Sequence, residues 1–481
     1  MQAWRDTSYP ARLEEILEDG VVRCHLSPRN CTMKEGQFGF CGVRMNRGGR
    51  LVSLNYGKSV HITEETIETE AVNHYAPGER ILSLGNIGCM LNCAYCHNWK
   101  TSQARYVDDK DVYYYTPEGV VETALRHGIR CLSWTYNDPV VWHEFVRETA
   151  MLAREAGLIN LYKSAFFISR EAVEELIPYI DIFSISIKSI DPAYYRKYTT
   201  GWLEPVLEGA KMVFESGRHL EVSTLMITDI SDDEETARKV ADWVLTELDE
   251  TVPLHFVRFH PDYKMRNTIR TPIPRLERAR EIAIDMGVRN VYLGNVYDTP
   301  WTTTYCRTCD SVLVTRYGLN ARNVGLDQSG RCSRCGTDAY FRLMPPAPPR
   351  EDVAQLPERC TSTRSFAWHG DIRSLHVQVR NSHGEPVDIF HRRVFENGDQ
   401  AGWTRITLDP FESYRFIIAK SREDEVGPEV ALPPGVESNL HEVFDRAHFP
   451  TLSVEETSQP DDIAPLPVFP GNQLIKSVAS V

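Results

Sequence analysis

The sequence predicts an α/β fold, a partial (β/α) barrel followed by two smaller C-terminal regions. Between about residues 80 and 300, short apolar runs rich in β-branched residues alternate with longer helical patterns, which is typical of parallel strands joined by helices. In the run IFSISIK, residues 182–188, apolar and polar residues alternate strictly. One polar face indicates a partly hydrated barrel interior, since a strand between two helix layers is apolar on both faces. Lys188 would then lie near the C-terminal mouth of the barrel, where such folds place their chemistry.

The elements of this region can be assigned from composition and start signals. The seven predicted strands are ERILSLG, IRCLSWTY, INLYKSAFF, DIFSISIK, HLEVSTLMI, PLHFVRFH and RNVYLGN. Helices are expected to begin where a capping residue precedes proline, at Thr116-Pro117, Asp138-Pro139 and Asp191-Pro192, because proline fits the first helical position. The segment from Ser231 to Glu234 has the spacing of a capping box.

Shifts in composition divide the chain into six predicted regions. An N-terminal cysteine-containing lobe (1–75) precedes the barrel (76–300), and a ribbon-like segment with two CxxC pairs (301–345) follows it. The proline-rich stretch LMPPAPPREDVAQLP indicates a linker (346–361). Beyond it, the alternating runs RSLHVQVRN, VDIFHRRVF, WTRITLD and SYRFIIAK predict a small β domain (362–450), and residues 451–481 are predicted to be a tail.

Overall composition disfavours several function classes. The chain has 481 residues, 42% apolar and 25% charged, and a formal net charge of -14. It can bury a large core, but it is not suited to broad binding of nucleic acid or anionic membranes. The N-terminus shows no signal pattern, and no apolar run approaches about 18 residues, so a cytoplasmic protein is expected. Most of the 12 cysteines fall in clusters, which in a reducing compartment favours metal binding over disulfides.

Three closely spaced cysteines form the most specific motif. In GCMLNCAYCHNWKTSQ, Cys89, Cys93 and Cys96 have CxxxCxxC spacing and follow a predicted strand. Zinc needs a fourth protein ligand or a water, and His97 is a poor fourth ligand because it directly follows Cys96. A four-iron cluster fits better, because three thiolates bind three irons and leave the fourth open.

The cysteine triplet, with Tyr95 just before its last member, strongly resembles the signature of the radical S-adenosylmethionine (SAM) superfamily. This resemblance implies a [4Fe-4S] cluster whose open iron is chelated by SAM, with Tyr95 covering the cluster edge. It also implies reductive cleavage of SAM to a 5'-deoxyadenosyl radical. Further segments, WTYNDPVVWHE, IKSIDPAYYRKY, PLHFVRFHPDYKM and VYLGNVY, resemble the radical SAM component of the AmmeMemoRadiSam system, near relatives of pyruvate formate-lyase activases. The likeness covers roughly residues 20 to 340.

The resemblance implies a SAM-binding role for the turn TYNDP. This turn typically ends in Glu-Pro in the relatives and contacts the SAM ammonium group, so Asn137 and Asp138 are predicted SAM contacts. The alternative is that Asp138 is an ordinary helix cap before Pro139. Its side chain is one methylene shorter than glutamate, so a direct contact stays open.

Later strands contribute the remaining candidates. Lys163 is predicted to bind SAM, and Lys188, which continues a polar strand face, is predicted to bind the SAM carboxylate or substrate. In HFVRFHPD, Arg258 and His260 share one strand face and are predicted to contact substrate or SAM, which gives a catalytic set with Lys188. Asn295 in YLGN is predicted to meet the adenine or ribose.

Two other cysteine groups have less specific patterns. Cys306, Cys309, Cys332 and Cys335 form two CxxC pairs separated by 22 residues. This pattern is typical of a closed structural zinc ribbon, and an auxiliary iron–sulfur cluster is the alternative. For Cys24, Cys31 and Cys41, a metal site and simple packing of the N-terminal lobe both stay open.

Together these patterns predict a radical SAM enzyme that abstracts hydrogen from an unidentified substrate. An electron donor such as flavodoxin or ferredoxin would reduce the cluster. One alternative is activation of a glycyl-radical enzyme, which would make a partner protein the substrate. Another is a non-catalytic iron–sulfur electron carrier, although a carrier has no need of an open-coordination triplet beside a polar-lined barrel. The substrate itself does not follow from the fold.

Overall fold

The computed structural model describes residues 2–296, 299–345, 350–358, 360, 362–368 and 372–444. The strands up to the main sheet are β1 (Tyr9–Pro10), β2 (Glu14–Ile16), β3 (Val22–Cys24), β4 (Cys31–Met33), β5 (Arg44–Arg47), β6 (Arg50–Ser53), β7 (Lys58–Ser59) and β8 (His61–Thr66). The central strands are β9 (Arg80–Gly85), β10 (Tyr113–Tyr114), β11 (Cys131–Thr135), β12 (Ile159–Ser164), β13 (Ile182–Ile187), β14 (His219–Met226), β15 (Leu254–Arg258) and β16 (Val291–Gly294). The C-terminal strands are β17 (Thr304–Tyr305), β18 (Val312–Tyr317), β19 (Asn320–Asn323), β20 (Asp352–Val353), β21 (Ser362–Ser365), β22 (Ile372–Asn381), β23 (Val387–Phe395), β24 (Trp403–Leu408), β25 (Ser413–Ala419), β26 (Glu425–Leu432) and β27 (Val436–Phe444).

Helices connect the central strands. They are α1 (Trp99–Ser102), α2 (Pro117–Arg126), α3 (His143–Glu155), α4 (Arg170–Leu176), α5 (Pro192–Tyr194), α6 (Glu204–Glu215), α7 (Glu234–Glu247) and α8 (Ile273–Met286). Short 3-10 turns include Ile67–Glu70 and Pro139–Trp142. No helix within the described ranges is long and apolar enough to cross a membrane.

The predicted helix starts are largely confirmed. Thr116, Asp138 and Asp191 each accept a hydrogen bond from a backbone N–H two or three residues later. The capping box at Ser231 is wrong, because Asp233 caps α7 by accepting from the Thr236 N–H. The Ser231 hydroxyl instead donates to the Leu225 carbonyl and accepts from the Ile227 N–H, so it closes the preceding turn.

All seven strands predicted between residues 80 and 300 are present, as β9 and β11 to β16. They are parallel and lie side by side in chain order. Strand β8 runs antiparallel along β9, and the sheet continues from β8 into β25, β22 and β27. Within the described residues this sheet has two ends, at β16 and β27, so closure of a barrel is not established.

The two faces of the parallel strands differ as the IFSISIK pattern predicts. On one face, side chains such as Phe183 and Ile185 are fully buried in the main core beneath the helices. The other face, called the polar face below, carries Ser83, Ser133, Lys163, Ser184, Glu221, Ser223 and His255, which are adjacent across neighbouring strands. The turn Ile67–Glu70 covers part of this face, because the Ser184 hydroxyl donates to the Glu70 carbonyl at 2.6 Å. The sheet thus has a polar side that is enclosed by the chain itself.

The four strands predicted after the proline-rich stretch are present as β22 to β25. They belong partly to a five-stranded sheet and partly to the main sheet, which β25 joins through the pair Phe416 and Glu64. Residues around Leu375 and Val377 form their own apolar cluster. The six domain boundaries stay predictions, and the tail at 451–481 and the linker residues 346–349 lie outside the described residues.

Candidate functional site

The cysteine triplet lies in the loop between β9 and α1. Cys89, Cys93 and Cys96 are half-buried, and all twelve cysteines of the chain are free thiols. The Leu91 N–H donates to Cys89 Sγ at 3.4 Å, and Cys96 Sγ lies 3.4 Å from Ser102 Oγ on α1. The loop therefore already makes hydrogen bonds to two of its sulfurs.

Glycine is required at the start of this loop. Gly88 has φ +91, and a Cβ there would lie 2.9 Å from Val43 Cγ1 and 3.0 Å from the Cys41 carbonyl oxygen. Both contacts come from the N-terminal region. That region therefore packs directly against the residue that precedes Cys89.

The electrostatics of the triplet combine burial with one nearby cation. Burial raises the pKa of Cys93 to about 12, and the Lys188 ammonium opposes this rise. Burial likewise raises the pKa of Cys96, against Ser102 and Lys188. Lys188 on the strand end after β13 is therefore close to two of the three cysteines.

The donor set fits a four-iron cluster better than a single ion. The triplet is not among the described clusters of His, Cys, Asp and Glu in which all ligand atoms lie within 4.8 Å of one another. Its three sulfurs therefore do not all lie that close together. The thiolates of a four-iron cluster bind different irons, so they stand farther apart than the ligands of one ion. Three half-buried thiols with this wider separation match that requirement.

Tyr95 is buried beside the triplet. Its ring centroid lies 6.4 Å from that of Tyr194. The ring is thus held in the loop, and its predicted role over the cluster edge stays a prediction.

The turn after β11 is joined to the cysteine loop by side-chain amides and hydroxyls. Asn98 Nδ2 donates to the Tyr136 carbonyl at 2.7 Å, and Thr101 Oγ1 donates to Asn137 Oδ1 at 3.0 Å. Asn137 Nδ2 donates in turn to the Asn86 carbonyl at 2.5 Å. Tyr136 has φ +62, a backbone conformation that costs a non-glycine residue about 1–3 kcal/mol and is often found at functional sites. Asn98 and Thr101 were not predicted, because neither has a distinctive sequence pattern.

Asp138 is confirmed as a helix cap and has a second structural role. Its Oδ1 accepts from the Ser164 hydroxyl at 2.7 Å, and its Oδ2 accepts from the Ala165 N–H at 2.8 Å. Burial raises the pKa of Asp138, and these hydrogen bonds oppose the rise. The carboxylate thus bridges the ends of β11 and β12. A contact with SAM stays a prediction and would have to share an oxygen that is already hydrogen-bonded.

Lys163 and two serines form the centre of the polar face. Lys163 Nζ donates to Ser184 Oγ at 3.0 Å and to Ser223 Oγ at 3.4 Å. The Ser223 hydroxyl lies 3.1 Å from that of Ser186. Burial lowers the pKa of Lys163 to about 8. The charge of Glu70 opposes this fall in the pKa, and the Lys188 ammonium adds to it.

Two carboxyl groups that the sequence did not indicate lie on the same side of the sheet. Glu70 accepts from the Ser133 hydroxyl at 2.9 Å and from the Thr135 hydroxyl at 2.8 Å. Glu65 accepts from the Tyr136 hydroxyl. Burial, followed by the charge of Glu70, raises the pKa of Glu65 to about 8. In the sequence HITEETIETE these residues are indistinguishable from a solvated charge run.

Arg258, His260 and Asn295 form a group at the ends of β15 and β16, in which a hydrogen bond joins Asn295 to Arg258. Asn295 Nδ2 donates to the Arg258 carbonyl at 2.8 Å, and Arg258 Nε donates to the Thr271 carbonyl at 2.7 Å. His97 Nε2 lies 3.0 Å from the His260 carbonyl oxygen, and the two rings are 5.6 Å apart. Burial, then His97, lowers the pKa of His260. His97 therefore connects this group to the cysteine loop, a role that its sequence position does not reveal.

The paired CxxC cysteines form a compact ligand group. The ligand atoms of Cys306, Cys309, Cys332 and Cys335 all lie within 4.8 Å of one another. The sulfur separations are 3.5 Å for Cys306 and Cys335 and 3.7 Å for Cys309 and Cys332. A tetrahedral ion with metal–sulfur bonds of about 2.3 Å needs sulfurs about 3.8 Å apart. This group could therefore hold a metal ion.

The N-terminal cysteines line a small cavity. Cys24, Cys31 and Cys41 surround it together with Arg29 and Met90, among others. Cys24 and Cys31 are directly paired across β3 and β4. The two interpretations of these cysteines, a metal site and simple packing of the N-terminal lobe, both stay predictions.

Comparison with known proteins gives four findings. The family model described as the radical SAM superfamily matches residues 86–244. An uncharacterized protein of Methanocaldococcus jannaschii is 38% identical over 328 residues, which are 68% of this chain and 97% of that protein. The pyruvate formate-lyase 1-activating enzyme of Escherichia coli is 21% identical, over 44% of this chain and 91% of that enzyme. Among solved structures, a domain of the pyruvate-formate lyase-activating enzyme from Bacteroides vulgatus aligns with a TM-score of 0.30 at 15% identity, over 34% of this chain and 97% of that domain.

Proposed function

This chain belongs to the radical SAM superfamily and is a radical SAM enzyme, and we propose that it abstracts hydrogen from a substrate bound beside the polar face of its parallel sheet. The observation that carries the proposal is the joining of three features in one site. Asn98 and Thr101 link the cysteine loop to the TYNDP turn by hydrogen bonds, and the charge of Lys188 acts on both Cys93 and Lys163 of the polar face. We also propose that the parallel strands curve around the polar face as a partial barrel.

The cofactors follow from the family, and the residues of this chain would share their binding. Cys89, Cys93 and Cys96 would hold the [4Fe-4S] cluster, and Tyr95 would cover its edge. When bound, the cluster and SAM supply a 5'-deoxyadenosyl radical after one-electron reduction by a donor such as flavodoxin or ferredoxin. What the chain itself contributes is ligation, orientation and exclusion of water.

The groups proposed to bind SAM would approach the triplet from two segments. Lys188 would pair with the SAM carboxylate, since its charge already acts on Cys93 and Cys96. Asn137 would meet the SAM amino group from the TYNDP turn, with Asp138 fixing the turn from beneath.

Two further groups would complete the site. Asn295 would contact the adenine or ribose from the end of β16. Arg258 and His260 would face the substrate, because both are only half-buried at the end of β15 and the His260 carbonyl contacts His97 of the cysteine loop.

The four CxxC cysteines are proposed to bind zinc as a structural site. The support is their sulfur separation, which suits tetrahedral thiolate coordination. A closed four-thiolate site has no open position for chemistry, so its role would be to stabilise β17 to β19.

The likeness to the Escherichia coli pyruvate formate-lyase 1-activating enzyme favours one second candidate. In that case the substrate would be a partner protein that receives a glycyl radical. The two kinds of substrate can be distinguished by one measurement. A protein substrate would carry a stable radical after the reaction, whereas a small-molecule substrate would leave no radical on a partner protein.

The test is spectroscopic and isotopic. Anaerobically reconstituted protein is reduced with dithionite, and its EPR spectrum is recorded with and without SAM. We expect SAM to change the spectrum, because it would bind the open iron. Incubation with cell extract prepared in deuterated medium should then place deuterium in 5'-deoxyadenosine. An unchanged spectrum together with no 5'-deoxyadenosine would instead indicate an electron carrier.

A further inference from the structure

Lys163 has an unusual environment for an interior lysine. It lies on β12 near the middle of the parallel sheet, and its ammonium donates only to the hydroxyls of Ser184 and Ser223. Across the part of the chain that the structure describes, no carboxylate oxygen lies within 4.0 Å of its Nζ. Burial lowers the pKa of Lys163 to about 8, although the charges of Glu70 and Glu221 oppose this fall. Near pH 8 its neutral amine is therefore far more populated than that of an exposed lysine.

Lys163 is less buried than a lysine that is held for structural reasons. As a residue it is half-buried. Lys58 provides the contrast, because it is 3% exposed and its ammonium donates to the carbonyls of Thr7 and Leu54. The ammonium of Lys58 is thus bound by backbone carbonyls, whereas that of Lys163 donates to two side-chain hydroxyls.

The surroundings of Lys163 provide both charge and proton carriers. Lys188 is a second cation close enough to lower the pKa of Lys163, after burial as the main cause. Ser184 accepts from Lys163 and donates to the Glu70 carbonyl. Burial raises the pKa of the Glu70 carboxyl, and a hydrogen bond from Thr135 and the charge of Lys163 oppose the rise. A lysine beside another cation, with hydroxyls and a carboxyl group nearby, matches the requirements of an imine-forming amine.

We propose that Lys163 condenses with a carbonyl-bearing substrate, an aldehyde or a 2-oxo acid, and holds it as an imine beside the cysteine triplet. The lone pair of Nζ forms a bond to the carbonyl carbon as the carbonyl π bond breaks, and one Nζ proton moves to the oxygen to give a neutral carbinolamine. The hydroxyl takes a proton from a neighbouring acid, for which Glu70 is the candidate, and leaves as water, and the second Nζ proton then returns to that acid. The sum is amine plus carbonyl giving imine plus water, and no oxidant or reductant is consumed. This inference rests on the proposed function for the location of the substrate.

The experiment is reductive trapping followed by peptide mapping of the full, reconstituted chain under anaerobic conditions. The probes are glyoxylate and pyruvate, each with cyanoborohydride at pH 8. With a pKa of about 8, half of Lys163 is neutral at this pH, against about 0.4% of an ordinary exposed lysine with pKa about 10.4. We therefore expect the Lys163 peptide to be labelled at least about ten-fold faster than the exposed Lys110 peptide, and Lys58 to stay unlabelled.

Variants and a second readout make the outcomes distinguishable. Lys163→Arg should lose the label at this position, and Lys58→Arg should keep it. Mapping of the unmutated chain gives the same answer if Lys163→Arg fails to fold. Labelling of Lys163 no faster than of Lys110 would overturn the inference. Reductive SAM cleavage is measured in the same preparation, so absence of a Lys163 adduct with normal cleavage overturns only the imine, and absence of cleavage overturns the proposed function.

Discussion

Replacing Gly88 by alanine tests how the N-terminal region supports the cysteine loop. The backbone at φ +91 costs a non-glycine residue about 1–3 kcal/mol. The added Cβ would also meet Val43 Cγ1 at 2.9 Å and the Cys41 carbonyl oxygen at 3.0 Å, and overpacking of this kind costs about 1–3 kcal/mol more. We therefore expect Gly88→Ala to lower the free energy of unfolding by about 2–6 kcal/mol and to reduce the iron content, because the loop that begins at Cys89 is displaced.

The assay is urea unfolding followed by circular dichroism, with iron measured on the same preparation. Gly157→Ala is the matched control, since Gly157 has φ +78 and no heavy atom within 4 Å of its would-be Cβ. Gly157→Ala should lower the free energy of unfolding only by the cost of the positive φ, and its iron content should equal that of the unaltered chain. If the two variants lose the same stability and hold the same iron, the contact with Val43 and Cys41 does not support the loop.

Three further changes test separate parts of the structure. Asp138→Ala should lower the free energy of unfolding by about 2–5 kcal/mol, because buried N–H groups including that of Ala165 lose their acceptor; an unchanged unfolding temperature would be inconsistent with this. Burial alone would raise the pKa of Glu64, but Arg350 and Arg80 lower it to about 2, so its contribution of about 3 kcal/mol should be complete above about pH 5 and lost as the pH falls toward 2. Glu64→Gln should flatten this acid limb of the stability curve, and an identical slope would show that Glu64 is not responsible. Cys309→Ser should remove about one metal ion per chain while the cluster iron is retained, and unchanged metal content would argue against a ribbon site.

Local patterns were sufficient to predict the parallel strands and the polar face. Strand–helix alternation and the period-two run around Ser184 depend only on neighbouring residues, and both are confirmed by β9, β11 to β16 and the contacts of Lys163. The cysteine triplet was equally recognisable, because its three cysteines lie within one short segment of the sequence.

The parts that could not be predicted depend on contacts between distant segments. Glu65 and Glu70 belong to a charged stretch that is expected on the surface. In the structure, the turn Ile67–Glu70 lies against the sheet, and Glu70 accepts hydrogen bonds from Ser133 and Thr135, which are more than sixty residues later in the sequence. Asp138 was recognisable as a cap, but its bond to the Ala165 N–H connects two strand ends. Ser231 was misassigned for a local reason, since Asp233 nearby offers a competing acceptor for the same helix start.

The most direct test of the central claim is the production of 5'-deoxyadenosine from SAM by the dithionite-reduced protein and by its Cys93→Ala variant. We expect the unaltered chain to form 5'-deoxyadenosine. The Cys93→Ala variant should form none, because a three-thiolate cluster has no spare ligand. The variant should still keep its fold and any metal bound by the CxxC cysteines. Cleavage of SAM by Cys93→Ala at the rate of the unaltered chain would contradict the assignment of Cys89, Cys93 and Cys96 as the cluster ligands.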